Sequence, residues 1–132
     1  MNIPIVVANL LTLLAFVIHT FIGDKELRLI EPQDDADEKK LKLEKWTMAR
    51  SGWHWISFDL LLATFGLGLV NFTDFFEDEQ TLLRILAVYF LGYGIVWFIG
   101  LAISREFPKK YLKLGQWMLL LAIGTLIYLG TV

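Results

Sequence analysis

From Ile3 to Ile22 the chain carries no Asp, Glu, Lys or Arg. At 1.5 Å per residue, a helix of about 20 residues crosses the ~30 Å hydrocarbon core of a bilayer. Three further apolar runs lie at about 53–72, 82–103 and 112–129. Four runs of spanning length leave little chain for anything else. The fold expected is all-α, a four-helix transmembrane bundle in one integral membrane domain, residues 1–132. Composition agrees: 56% of the residues are hydrophobic, mean hydropathy is +0.56, and a soluble core of this size cannot hide so many large apolar side chains. The bilayer is the first partner the sequence demands.

Charge and cysteine content narrow the classes further. A formal net charge of -2 argues for no nucleic-acid partner. With no cysteine there is no disulfide, thiolate metal site or thiol nucleophile. The opening Met1-Asn-Ile-Pro lacks a basic n-region, so the first span is expected to be retained rather than cleaved as a signal peptide.

Within the first span, Ala8, Thr12, Ala15, His19, Gly23 and Glu26 recur at spacings of three and four. On a regular α-helix that spacing draws one small and polar stripe, a face suited to packing against other helices. A charged connection comes next. Pro32 interrupts it, and Asp35 with Glu38 reads as a helix start. Asp35–Lys39 and Glu38–Lys42 have the spacing of stabilising i,i+4 pairs, so this stretch reads as a solvated helix, with continuity through 34–52 into the second span left open. Leu41, Trp46 and Met48 would give it an apolar edge at the membrane surface.

The second span holds the most informative polar residues. Arg50, His54 and Ser57 share one side at spacings of four and three, while Gly52, Asp59, Ala63 and Gly66 share another. His54 and Asp59, five residues apart, lie roughly 140° apart around a helix. They cannot both point at one small ligand. An acidic residue inside an apolar run is expected to be paired, hydrated or protonated; for Asp59 the partners nearest to hand are His19, Arg50 and a tyrosine of the third span. The candidate polar site therefore comprises His19, Asp24, Glu26, Arg50, His54 and Asp59, where the first span leaves the membrane and the second returns.

The third span opens after Thr81 as a candidate cap and carries Tyr89, Tyr93, Trp97, Gly100 and Ser104 in a stripe. Lys and Arg gather in the first and third connections and are absent from the second, which is acidic. By the positive-inside rule both termini are expected to be extracytoplasmic. No phosphate-binding glycine loop, nucleophile elbow, Glu-x-x-His pair or zinc-ligand spacing occurs, so no catalytic residue is assigned.

His19, Gly23 and the carboxylate after it, with Trp53-His54 on the far side of the connection, resemble a group of uncharacterised small bacterial four-span membrane proteins. The resemblance implies a bacterial cytoplasmic membrane and carries over no site residue. Three functions remain open. The first is a non-enzymatic role, in which the chain binds membrane-protein partners or copies of itself, or serves the cell envelope. The second is a redox component holding haem or a divalent metal through His19 and His54, as helical bundles do between facing helices. The third is a small proton-coupled transporter built around Asp59, although the analogous small multidrug transporters carry their membrane carboxylate in the first span.

Overall fold

The computed structural model describes residues 2–33 and 37–132, with side chains for 2–33 and 40–132. The described residues are helical or irregular and include no strand. Helix α1 (Ile3–Val17) passes without a break into a π-helical segment (Ile18–Gly23) and then α2 (Asp24–Leu29). Then come α3 (Asp37–Phe72), α4 (Glu79–Ile103), the short α5 (Lys110–Lys113) and α6 (Gln116–Leu129). The chain is thus all-α, built on three long helical stretches and the shorter α6.

Three helices among the described residues are long and apolar enough to cross a membrane: Ile3–Leu29 (27 residues), Lys40–Phe72 (33) and Glu79–Ile103 (25). The surface supports the same reading, because Trp55, Phe58, Phe65, Val88 and Ile103 are all more than 60% exposed. Side chains of this kind in such density belong against lipid. This is a membrane protein.

Several boundaries differ from expectation. The first helix continues past Ile22 to Leu29, and α3 runs as one helix from Asp37 through the second span, a continuity the sequence left open. The cap of α4 is Asp78, whose side chain accepts from the Thr81 amide at 2.9 Å; Thr81 is the residue being capped. The fourth run is interrupted at Leu114–Gly115, which leaves α6 only 14 residues. The expected cap at Asp35 lies outside the described residues, as do its pairing with Lys39 and the Glu38–Lys42 pair.

Contacts divide the chain into two compact units: Met1–Leu11 with Ala63–Val132, and Thr12–Leu62. In the first unit, stretches of α1, α3, α4 and α6 pack around Ile5, Leu67, Phe90, Ile123 and Ile127, each no more than 1% exposed. Helices α4 and α6 meet through small residues. A Cβ at Gly94 would fall 2.7 Å from the Leu121 side chain, and one at Gly124 would fall 2.9 Å from the Leu91 backbone. Only glycine admits so close an approach. With its amide oriented to satisfy both ends, Asn9 of α1 donates to the Thr64 carbonyl (2.9 Å) and accepts from the Gly68 amide (3.2 Å) of α3. Such a bond is useful where water is absent. The second unit is a hairpin of α1, the π segment and α2 against the first part of α3, and it holds the candidate site.

Candidate functional site

The π segment decides which residues reach the site. On a regular helix, Asp24 would lie roughly 140° from His19. An i→i+5 segment takes in one extra residue and turns the helix beyond it back by about 100°. Asp24 thereby joins the face of His19, and it is 3% exposed. Glu26, which the three-and-four spacing placed on that face, is exposed instead. This corrects the expected stripe: the register holds from Ala8 through Ala15 and shifts within Ile18–Gly23.

Two layers of contact join the hairpin. In the first, the rings of His19 and Trp53 stack at 3.9 Å with 8° between their planes. Trp53 Nε1 donates to the His19 carbonyl at 2.9 Å, within the stretch where the π segment disturbs the ordinary ladder of helical bonds. Ser57 Oγ is directed at the Trp53 carbonyl (3.4 Å) and lies 3.1 Å from His19 Nδ1. In that arrangement Nδ1–H donates to Ser57 and Nε2 is the acceptor of the imidazole. Gly23 makes this layer possible, because any Cβ there would fall inside the indole of Trp53.

In the second layer, one carboxylate gathers three basic side chains. Arg50 donates to Asp24 through Nε (2.6 Å) and Nη2 (3.0 Å). Arg28, one turn on, donates through Nε (2.8 Å) and Nη2 (2.5 Å). His54 Nε2 lies 3.1 Å from Oδ1. Forked guanidinium bonds to a carboxylate are the stronger kind, and here they satisfy both oxygens. Trp46 extends the clasp outward: its Nε1 donates to the Leu27 carbonyl at 3.0 Å, satisfying a group near the end of α2, and the Arg50 guanidinium lies over its ring at 5.4 Å. Leu41 and Met48, expected beside Trp46 on an apolar edge, are exposed at 56% and 64%.

Of the expected site residues, the structure brings together His19, Asp24, Arg50 and His54, with Ser57, Trp53 and Arg28 joining them. Asp59 is half-buried on α3 and takes no part in the Asp24 bonds. No group of three or more His, Cys, Asp or Glu residues among the described residues is arranged to hold a metal ion. The missed contributors left a partial signal: Arg28 lies at i,i+4 from Asp24, the spacing of a helical ion pair.

No family model, curated protein or solved structure matches the chain.

Proposed function

We propose that this is a four-span protein of a bacterial cytoplasmic membrane, with both termini extracytoplasmic, that acts by binding other membrane proteins or copies of itself rather than by catalysis. The observation that carries the reading is the saturation of Asp24. Both its oxygens are taken by Arg28, Arg50 and His54 of the same chain, so the most polar spot in the hairpin works as an internal clasp. A catalytic carboxylate needs a lone pair or proton within reach of substrate. On α4, Gly92 and Gly100 lie on open ground where an added Cβ meets nothing within 4 Å. That leaves room for a helix from outside the chain to approach.

Because the chain has no cysteine, a single cysteine at Val96, between these glycines, tests the partner directly. Oxidation in native membranes is expected to give a crosslinked dimer or a discrete larger adduct. Only monomer, in a protein that stays folded, would count against the reading. Reporter fusions at Val132 and within residues 34–40 test the orientation, and a cytoplasmic carboxyl terminus overturns it.

The redox alternative has one observation in its favour, the nearness of both histidines to one hairpin junction. Haem or metal held by both rings would require His54 to leave Asp24 or to ligate through Nδ1, and His19 to use Nε2. A Soret band or stoichiometric metal in purified protein, lost on His19→Ala or His54→Ala, would establish it in place of the interaction role. Transport through Asp59 would be separated from both by Asp59→Asn in a proton-flux assay on reconstituted vesicles.

A further inference from the structure

The turn between α4 and α6 uses its charges differently from the Asp24 cluster. It holds Arg105, Glu106, Lys109, Lys110 and Lys113. Four cations less one carboxylate give +3. Glu106 is the single acid between residue 80 and the end of the chain, and it is occupied: Lys110 Nζ donates to it at 2.8 Å and to the Ser104 carbonyl at 3.3 Å. The Lys110 side chain is 1% exposed. The buried cation therefore neutralises the one acid that would have screened the others. Arg105, Lys109 and Lys113 are left exposed and uncompensated within the turn.

The backbone adds a second observation. Lys109 is the single non-glycine residue at positive φ among those described, at φ 59° and ψ 32°. Glycine or asparagine adopts this conformation more readily, yet the position carries a cation. Aromatic rings fix the level of the turn. Phe98 packs on Tyr111 and Trp117 with centroids 5.5 and 5.2 Å apart, and Trp117 Nε1 donates to the Tyr111 carbonyl at 3.1 Å. Trp and Tyr in such clusters settle at the headgroup level of a bilayer.

We infer that Arg105, Lys109 and Lys113 form a binding site for the headgroup of an anionic phospholipid. The chemistry recognised is a phosphodiester with net negative charge. The occupant is a lipid of the surrounding bilayer, because the turn leaves directly from the end of a membrane-crossing helix whose last residue, Ile103, is 83% exposed. The first connection has no such surplus: Asp24 there is enclosed by Arg28 and Arg50.

The test uses the full chain in detergent, titrated with phosphatidylglycerol or phosphatidylcholine, with bound lipid counted by native mass spectrometry. Wild type is expected to retain phosphatidylglycerol preferentially. The triple variant Arg105→Gln, Lys109→Gln, Lys113→Gln is expected to lose that preference, by about fivefold for each cation removed. A matched variant, Lys40→Gln, Lys42→Gln, Lys45→Gln, removes the same charge from the first connection and is expected to keep it. Excess inorganic phosphate at constant ionic strength is expected not to displace the lipid. No preference in wild type, equal loss in both triple variants, or displacement by free phosphate would each overturn the proposal. If the triple variant fails to fold, the three single substitutions are read by the same criterion.

Discussion

Among the described residues two places bury a charged group, and they do so in opposite ways. Asp24 is an acid enclosed by bases, two of them distant in sequence: Arg50 and His54 lie 26 and 30 residues away on α3. Lys110 is a base whose bonds are all local, to Glu106 four residues back and Ser104 six back. Glu106 is itself 83% exposed, whereas the Asp24 carboxylate keeps 5% of its side-chain surface. The first arrangement joins two helices across a connection. The second shapes one turn and satisfies a carbonyl at the end of α4, where a cation is favoured by the helix dipole. Burial alone therefore does not measure what a charge contributes; the sequence distance of its partners decides whether tertiary structure depends on it.

Removing each centre in turn separates the two arrangements. Asp24→Asn keeps the side-chain shape but strips the charge from an acceptor that serves Arg28, Arg50 and His54 together, leaving three basic groups without their counter-charge. It is expected to lower thermal stability more than the other single substitutions below, with new protease cleavage within α2 (Asp24–Leu29) as the hairpin loosens. Combined with Arg50→Gln, the loss is expected to be well short of additive, because the two residues share one interaction. A smaller effect than that of Lys110→Met would reverse the ranking.

Next in size is Gly23→Ala. A methyl group there meets the indole of Trp53, which is already held by the His19 stack and the His19 carbonyl. Overpacking against a ring so constrained costs about 1–3 kcal/mol. Gly52→Ala on α3 is the control, since a Cβ there meets nothing within 4 Å. It is expected to be neutral or to stabilise by up to ~1 kcal/mol through helix propensity. Equilibrium unfolding of the two variants side by side checks the difference, and equal losses would mean that the close approach at Gly23 is not what constrains the hairpin.

Much of this was legible in the sequence, and the parts that were not have a definite cause. The helices are implied by the length of the apolar runs, and the shared face of Arg50, His54 and Ser57 by spacings of four and three on a regular α3. The opposing face failed at one point, because that inference assumes a 3.6-residue period throughout and nothing in Ile18–Gly23 announces a π segment. The shift exchanged Glu26 for Asp24. The break at Leu114–Gly115 was hidden for a related reason: apolar composition continues across it, and hydropathy reports burial in lipid rather than continuity of helical bonds. The buried Lys110 left a readable trace in its i,i+4 spacing from Glu106, but spacing alone does not tell a solvated pair from one whose cation is enclosed.

Lys110→Met tests the weaker side of the comparison. Methionine fills nearly the same slot without a charge, and Glu106 loses its partner in a position already open to solvent. The substitution removes a hydrogen bond to the Ser104 carbonyl and a partly screened ion pair, worth about 1 kcal/mol together. Thermal unfolding is expected to shift little, and the α1–α3 hairpin is expected to keep its protease resistance. Loosening of that hairpin would show that the turn is not the local device its bonds describe.

The smallest effect is expected where a charge is neither buried nor distant from its partner. Asp78 is exposed and accepts from the Thr81 amide at the start of α4. Hydrogen bonding from the Thr81 side chain and from its backbone amide, aided by the charge of Arg84, holds its carboxyl below the usual carboxylate range. A carboxyl depressed in the folded state adds stability above its unfolded value of 3.8, and this contribution fades as the pH falls from there through the lower folded value. Asp78→Ala is therefore expected to destabilise α4 slightly at neutral pH, with the difference from wild type shrinking progressively below about pH 4. Parallel melting curves across that range check the sign. A difference that persisted unchanged in acid would mean that the cap acts through shape rather than charge. Exposed and local, Asp78 would then no longer mark the lower end of a scale on which sequence separation and burial together rank Asp24 above Lys110.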